Sequence, residues 1–187
     1  MFGSKTLEDV ATGLEAARGA LKQAFATDLD LEAEVPTQWY GPGQTRTIGT
    51  LMSLAVTETL VHGWDLAGAL GVDRTFPEAE AAPALATLMS QMLPHLVKPD
   101  LPKSGPVVYE MRIVGGESFV LRIDNGKAWA EPVGGSVDCV MTMRPGVGLL
   151  LAFRRVPVWK AVLGGHSKAS GRKPWLAFKF QNYFNSA

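Results

Sequence analysis

The sequence predicts a helical domain over residues 1–100, followed by an α+β domain with an antiparallel sheet and helices over residues 106–187. Apolar residues recur every three or four positions in the first hundred residues, as on one face of a helix. After them, apolar residues recur at every second position, as in strands. Between the two patterns, residues 98–106 are rich in proline and glycine, a composition typical of a domain boundary.

The composition limits the class of protein. Of the 187 residues, 47% are hydrophobic, so the chain can bury a sizeable core. The 18 basic and 18 acidic side chains balance, which argues against a nucleic-acid partner bound through its phosphates. The single cysteine, Cys139, excludes an intrachain disulfide and fits a buried strand position. Because no signal peptide and no bilayer-length apolar run is visible, we expect a cytoplasmic protein without membrane insertion.

Three helices are expected in the first domain. Residues 7–26 carry apolar side chains at three- and four-residue steps behind a capping-box-like start at Thr6. Residues 28–44 break this period and are predicted to form an ordered loop without strands. The second helix is expected over 48–70, after a threonine cap. The third is expected over 75–97, where two internal prolines should bend or interrupt it.

The second domain is predicted to begin with four strands over residues 107–143. Tight turns separate these strands, and Asn125-Gly126 is a strong two-residue hairpin signal, so we expect an antiparallel meander. The elements expected after the meander are an interrupted helical run, a short fifth strand and a last helix, over residues 149–163, 164–170 and 174–184.

Glu58 and His62 are the candidate metal ligands of the second helix. Side chains four residues apart lie on one face of a helix, and Asp65 joins the same face. Leu51 and Ala55 precede the pair on this stripe, so we expect both ligand-type side chains to point into the domain. A divalent metal would compensate for burying them, and an ordinary buried hydrogen bond or ion pair would do so as well.

Residues 58–67 resemble the signature helix of the mycothiol-dependent maleylpyruvate isomerase family, because acid, histidine, Gly-Trp and aspartate all fall in place. This family belongs to the DinB-like metal-binding helical bundles. The second half, at 138–140, 149–151 and 170–172, resembles the SCP2-like domain that such proteins carry at their C-terminus. The resemblance implies a partial up-down helical bundle followed by an SCP2-like domain.

The resemblance also implies a zinc ion held by two histidines and a glutamate, with mycothiol as the thiol cosubstrate. Glu58 and His62 match two of those ligands, and Asp65 is a candidate to orient His62 or a bound water. Arg172 is the candidate to bind a carboxylate substrate, since a guanidinium matches carboxylate geometry. The family's other histidine lies on a helix before the equivalent of residues 7–26, which this sequence does not include. Three helices leave one side of a bundle open, so we expect a homodimer or a groove filled by another chain.

The sequence is compatible with three functions. The first is a metal-dependent isomerase or transferase that uses a thiol and a small-molecule substrate. The second is a carrier of an apolar ligand, which the second domain suggests. The third is a non-catalytic oligomeric scaffold that has lost its metal. The carrier hypothesis draws on an aromatic run that would equally well fill a core: Trp175, Phe178, Phe180, Tyr183 and Phe184.

Overall fold

The computed structural model describes residues 6–26, 28–37, 42–101 and 105–185. In this part of the chain, helices dominate the first hundred residues, and a five-stranded sheet with short helices follows. The predicted combination of helices and sheet is therefore confirmed at the level of class. Residues 102–104, inside the predicted domain boundary, lie outside the described residues.

The first helix, α1, spans Leu7–Phe25 as the apolar period predicts. Its N-terminus is closed by a capping box in which the Thr6 hydroxyl accepts a hydrogen bond from the Asp9 N–H at 3.1 Å. The Asp9 carboxylate in turn accepts one from the Thr6 N–H at 2.8 Å. Every side chain of α1 is exposed, so the helix contributes no side chain to a buried core within this chain. The DinB-like bundle stays a prediction.

A two-stranded hairpin follows α1, where the sequence predicted a loop without strands. Glu34–Thr37 (β1) pairs antiparallel with Gln44–Thr47 (β2). The Thr45 hydroxyl adds a hydrogen bond across the hairpin to the Glu34 carboxylate at 2.8 Å. The sequence argued against a strand here because Pro36 has no backbone N–H to donate within a sheet. The prediction was wrong because the structure places this proline in a hairpin of only two strands among the described residues, where it is tolerated.

Two helical segments complete the first hundred residues. The second helix, α2, spans Ile48–Ala69, and the Thr47 hydroxyl caps it by accepting a backbone N–H at 3.1 Å. The third, α3, spans Glu78–Thr87 and continues as a π-helical turn, Leu88–Met92, and a 3₁₀ turn, Leu93–Leu96. The predicted interruption of this helix is confirmed, since the α-helical part ends before its second proline.

The sheet that follows has five strands: Val107–Ile113 (β3), Ser118–Asp124 (β4), Lys127–Glu131 (β5), Cys139–Met143 (β6) and Ser167–Ser170 (β7). They lie in the order β5-β4-β3-β6-β7. The turn at Asn125-Gly126 joins β4 to β5 as a hairpin, in agreement with the prediction. The short fifth strand expected within residues 164–170 is also present, as β7.

The predicted antiparallel meander is wrong at β6. After β5 the chain crosses back and places Cys139–Met143 beside β3, to which it runs parallel, so the sheet is mixed. Four of the five residues of β6 are buried. Burial of both faces is typical of a parallel strand in the interior of a sheet. The alternation used for the prediction identifies a strand but does not say which neighbour it joins.

Short helices surround the strands of the C-terminal half. Pro145–Ala152 forms α4 and Val158–Leu163 forms α5, so the predicted interruption of this helical run is confirmed. The last segment, Pro174–Tyr183, is a 3₁₀ helix.

One cluster of buried side chains runs through the molecule. It contains Val61 of α2, Leu85 of α3, Tyr109 and Met111 of β3, and Leu149 of α4. The core therefore draws on residues from both sides of the predicted domain boundary, and the division into two domains stays a prediction. No helix among the described residues is long and apolar enough to cross a membrane.

Candidate functional site

The predicted metal ligands lie on the outer side of α2. The side chains of His62 and Glu58 are 65% and 45% exposed, so the expectation that both point into the domain is wrong. Ala55, placed on the inner stripe by the sequence, is also exposed. The buried face of α2 is instead formed by Thr50, Leu54, Thr57 and Val61. This face differs from the predicted one because apolar residues occur almost all around the helix, which leaves its orientation ambiguous.

Glu58 and His62 nevertheless share a face, as their spacing predicts. His62 Nε2 lies 3.0 Å from Glu58 Oε2, and His62 Nδ1 lies 3.9 Å from Asp65 Oδ2. Across the described parts of the chain, no group of three or more His, Cys, Asp or Glu side chains is placed to hold a metal ion. A zinc site usually has at least three protein ligands, so these residues do not form one by themselves. Zinc and mycothiol stay predictions.

The main partner of Asp65 is Arg155, in the segment after α4. The Arg155 guanidinium donates to the Asp65 carboxylate at 2.8 to 3.1 Å, and to the Phe153 carbonyl at 2.9 Å. The hydrogen bonds from Arg155 lower the pKa of Asp65 below its usual value. The sequence does not point to Arg155, because 90 residues separate it from Asp65 and no local pattern links them. The proposed orienting role of Asp65 toward His62 stays a prediction.

Arg172 is placed against a buried carboxylate rather than beside α2. It donates to Asp138 Oδ1 at 2.5 Å, and Lys173 Nζ approaches the same atom at 3.0 Å. The Asp138 side chain is only 5% exposed, and it also accepts the Val108 N–H at 3.1 Å. Burial raises the pKa of Asp138, but the hydrogen bonds from Arg172, Lys173 and Val108 outweigh it and leave the pKa below its usual value. The carboxylate-binding role of Arg172 stays a prediction.

An apolar cavity of about 400 Å³ lies in the C-terminal half. Its walls come from the turns after α3, from β6 and β7, from α4 and α5, and from the last 3₁₀ segment. The lining is almost wholly aliphatic and aromatic. It includes Leu88, Leu93, Leu96, Met141, Met143, Leu151, Val158, Val162, Ala169, Phe178 and Phe180. This size falls within the range of small-molecule pockets in proteins, about 300–1,000 Å³.

Exposed side chains mark the mouth of this cavity. Trp175 and Phe178 line it while remaining 55% and 62% exposed. Phe180 and Phe184 line it from the buried side, and Phe180 packs edge-on against Tyr109 with ring centroids 5.0 Å apart. The aromatic run near the C-terminus therefore serves both the core and the cavity, two alternatives that the sequence left open.

The cavity lining contains few polar groups. The Gln181 side-chain amide donates to the Leu151 carbonyl at 2.8 Å, so its N–H is satisfied within the protein. Arg154 is the one charged residue among the lining residues, and it is exposed. Within the described part of the chain, no carboxylate forms an ion pair with Arg154. A guanidinium at the mouth of an apolar cavity can bind an anionic group.

The backbone fixes Arg154 in an unusual conformation. Arg154 has φ +56°, in the left-handed region. Its N–H donates to the Leu151 carbonyl at 3.1 Å, and the Arg155 N–H donates to the Leu150 carbonyl at 2.8 Å. This pair of bonds is the Schellman motif that ends α4, whose left-handed position is usually glycine. An arginine there costs about 1–2 kcal/mol of backbone strain.

Comparisons with known proteins assign no family. No family model and no curated protein matches the chain. Among solved structures, the sec-alkylsulfatase Pisa1 from Pseudomonas sp. is 14% identical with a TM-score of 0.44 over 62% of this chain. The matched part makes up 17% of that enzyme, so this chain spans only a small share of its length.

Two sterol-carrier-type structures are also similar. Sterol carrier protein 2-like 2 from Aedes aegypti is 23% identical with a TM-score of 0.34, covering 45% of this chain and 79% of that one. The UbiJ-SCP2 ubiquinone synthesis protein is 17% identical with a TM-score of 0.33, covering 43% and 71%. At these TM-scores and identities, the likeness gives this chain neither a fold family nor a function.

Proposed function

We propose that this chain carries an apolar ligand with a small anionic head. The tail would occupy the cavity of the C-terminal half and the head would pair with Arg154 at the mouth. The observation that carries the proposal is the cavity itself, about 400 Å³ of space lined almost wholly by apolar side chains. Such a space gives no affinity for a polar solute but favours an apolar chain through the hydrophobic effect.

The cavity predicts how affinity depends on tail length. Each methylene moved from water into an apolar site contributes about 0.8 kcal/mol. Two further methylenes should therefore tighten the dissociation constant roughly tenfold. This gain should stop at the tail length that fills the cavity, because further carbons would remain in water.

Arg154 is the reason for proposing that the head of the ligand is anionic. It is a cation at the mouth without a carboxylate partner in the described chain, and its backbone is held in a conformation that glycine would adopt more easily. Strained backbone of this kind tends to occur at functional positions. A carboxylate head would replace part of the water that otherwise solvates the guanidinium.

A displacement titration tests the proposal. A fluorescent long-chain carboxylic acid is bound to the full chain and displaced by unlabelled acids of increasing length and by the matched alcohols. We expect one site, tighter binding with each added methylene up to a limit, and weaker binding of the alcohols. Absence of saturable binding, or affinity independent of tail length, would contradict the carrier function.

The metal-dependent thiol enzyme remains a second candidate that rests on the sequence resemblance. Its zinc ion would need Glu58, His62 and a third ligand from outside the described residues. Among the described residues, the cavity lining contains no His, Cys, Asp or Glu side chain that could hold a metal. The carrier is the function that the geometry supports better.

A further inference from the structure

The apolar side of α1 is uncovered. Leu14, Leu21 and Phe25 are 68%, 51% and 43% exposed, and Leu7 and Val10 continue the same stripe. Residues at these steps form one continuous face of a helix. A helix of 19 residues with such a face and no buried side chain gains little stability by itself. The apolar stripe therefore suits a contact with a surface that α1 does not touch within its own chain.

A groove of about 630 Å³ lies between α2 and α3 and is open to solvent. Its floor carries small side chains, among them Ser53, Ala84 and Ser90, which let a helix approach closely. Met52 and Val56 add apolar walls. The Ser90 hydroxyl already donates to a backbone carbonyl of α3 at 2.7 Å, so an apolar helix could cover it without leaving its donor unsatisfied.

The groove and α1 have complementary charges. The charged side chains that line the groove are all acidic, namely Glu32, Glu80 and Glu117. The second half of α1 carries Arg18 and Lys22 beside the apolar stripe, and no acidic residue follows Glu15 in the helix. Opposite charges at the rim of an apolar contact favour one partner and one orientation over others.

The lengths also agree. The groove follows α2 from its cap Thr47 to Val56, and α3 with its π-helical continuation from Glu80 to Gln91. These stretches correspond to roughly 14–17 Å at 1.5 Å per residue. The basic half of α1, residues 16–25, spans roughly the same length in a helix. Two to three turns of α1 would therefore fill the groove.

We propose that the α1 helix of a second copy of this chain occupies the groove between α2 and α3, and that the exchange is reciprocal. The chain's own α1 has every side chain exposed and does not line the groove, so the α1 that matches the groove in charge and length would come from a second copy. The resulting homodimer buries the α1 stripe twice. This inference concerns a different surface from the ligand cavity and does not depend on the carrier function.

Mass measurement with two variants of α1 is the first test. We expect light scattering to give twice the chain mass of 20.1 kDa for the wild type. Leu21→Glu places a charge in the stripe and should give monomer at the same concentration. Ala16→Glu, on the opposite side of α1, is the matched control and should remain dimeric. A monomeric wild type, or a Leu21→Glu protein that stays dimeric, overturns the proposal.

Cross-linking of the wild type identifies the occupant without any variant. Isotopically heavy and light chains are unfolded, mixed, refolded together and treated with a carbodiimide, which joins an amine to a carboxylate. We expect Lys22 to be joined to Glu32, Glu80 or Glu117 in heavy–light pairs. Pairs of one isotope only would mean that each chain covers its own groove and would overturn the proposal. Absence of these links in a monomer that binds lipid vesicles would also overturn it, and would assign the stripe to a membrane surface.

Discussion

The Arg155 guanidinium holds the Asp65 carboxylate with hydrogen bonds of 2.8 to 3.1 Å, across 90 residues of sequence. This contact ties the exposed side of α2 to the segment that ends α4. The neighbouring residue in that segment is Arg154, which lies at the mouth of the apolar cavity. The contact therefore connects the helix that carries the predicted metal ligands with the cavity that supports the proposed carrier.

Replacing Asp65 with Asn should lower stability at neutral pH. Arg155 depresses the pKa of Asp65 in the folded protein, so the stabilisation exists above the unfolded value of about 3.9. It is lost as the pH falls through the folded pKa, because the carboxylate is then protonated. Urea unfolding at several pH values should show a difference from wild type that vanishes in acid. Asp73→Asn is the control, because this carboxylate is exposed and pairs with no cation among the described residues. A difference that persists in strong acid would contradict the assignment.

Replacing Arg154 with Gly should stabilise the folded protein and weaken ligand binding. Glycine removes the cost of the left-handed conformation at φ +56°, a gain of about 1 kcal/mol. The same change removes the cation at the cavity mouth. Urea unfolding and ligand titration should therefore move in opposite directions.

Two charge-neutralising variants separate the charge of Arg154 from its backbone effect. Arg154→Gln should weaken binding of a carboxylate ligand and leave the matched alcohol unchanged. Lys168→Gln removes a charge from β7 between the lining residues Ser167 and Ala169, where Lys168 itself does not line the cavity. Equal affinity losses for the two variants would show that only the general positive field matters.

Replacing Asp138 with Asn should destabilise the fold by about 1.5–3 kcal/mol, the range for hydrogen bonds to a charged group. The change leaves Arg172 and Lys173 without their buried partner. Ligand affinity should stay unchanged, because none of the three lines the cavity. Arg172→Gln offers the sharper comparison: loss of ligand binding without loss of stability would restore the carboxylate-binding role that the sequence predicted.

Replacing His62 with Ala should leave the free energy of unfolding within about 0.5 kcal/mol of wild type, since surface substitutions usually have small effects. The side chain is 65% exposed and contacts Glu58 on the protein surface. Zinc titration of both proteins tests the resemblance at the same time. A large loss of zinc affinity in a folded His62→Ala protein would favour the metal-dependent enzyme. Equal affinities of the two proteins would exclude His62 as a zinc ligand.

Local signals in the sequence were sufficient for most elements of the fold. The capping box at Thr6, the hairpin turn at Asn125 and the proline between α4 and α5 each act within a few residues. Pairing of β6 with β3 depends instead on contacts between distant segments. The strand alternation in Cys139–Met143 is compatible with either neighbour, so the sequence alone could not choose between them.

The candidate site was less predictable for a related reason. The spacing of Glu58 and His62 correctly placed them on one face, but a helix that is apolar nearly all round does not show which face is buried. The cavity brings together six separate segments of the chain, and no single segment indicates that they surround a space. Arg154 could have been suspected only from its place at the end of α4, where a glycine is more usual.

The most direct test of the carrier function is to fill the cavity with a side chain. Val162 lines the cavity and is 39% exposed, whereas Val133 lies outside it and is 52% exposed. Both positions should accept tryptophan without unfolding the protein. We expect Val162→Trp to weaken binding of a long-chain carboxylic acid by at least about tenfold, or about 1.4 kcal/mol, and Val133→Trp to leave it unchanged. Wild-type affinity in a folded Val162→Trp protein would contradict the assignment of the cavity as the ligand site.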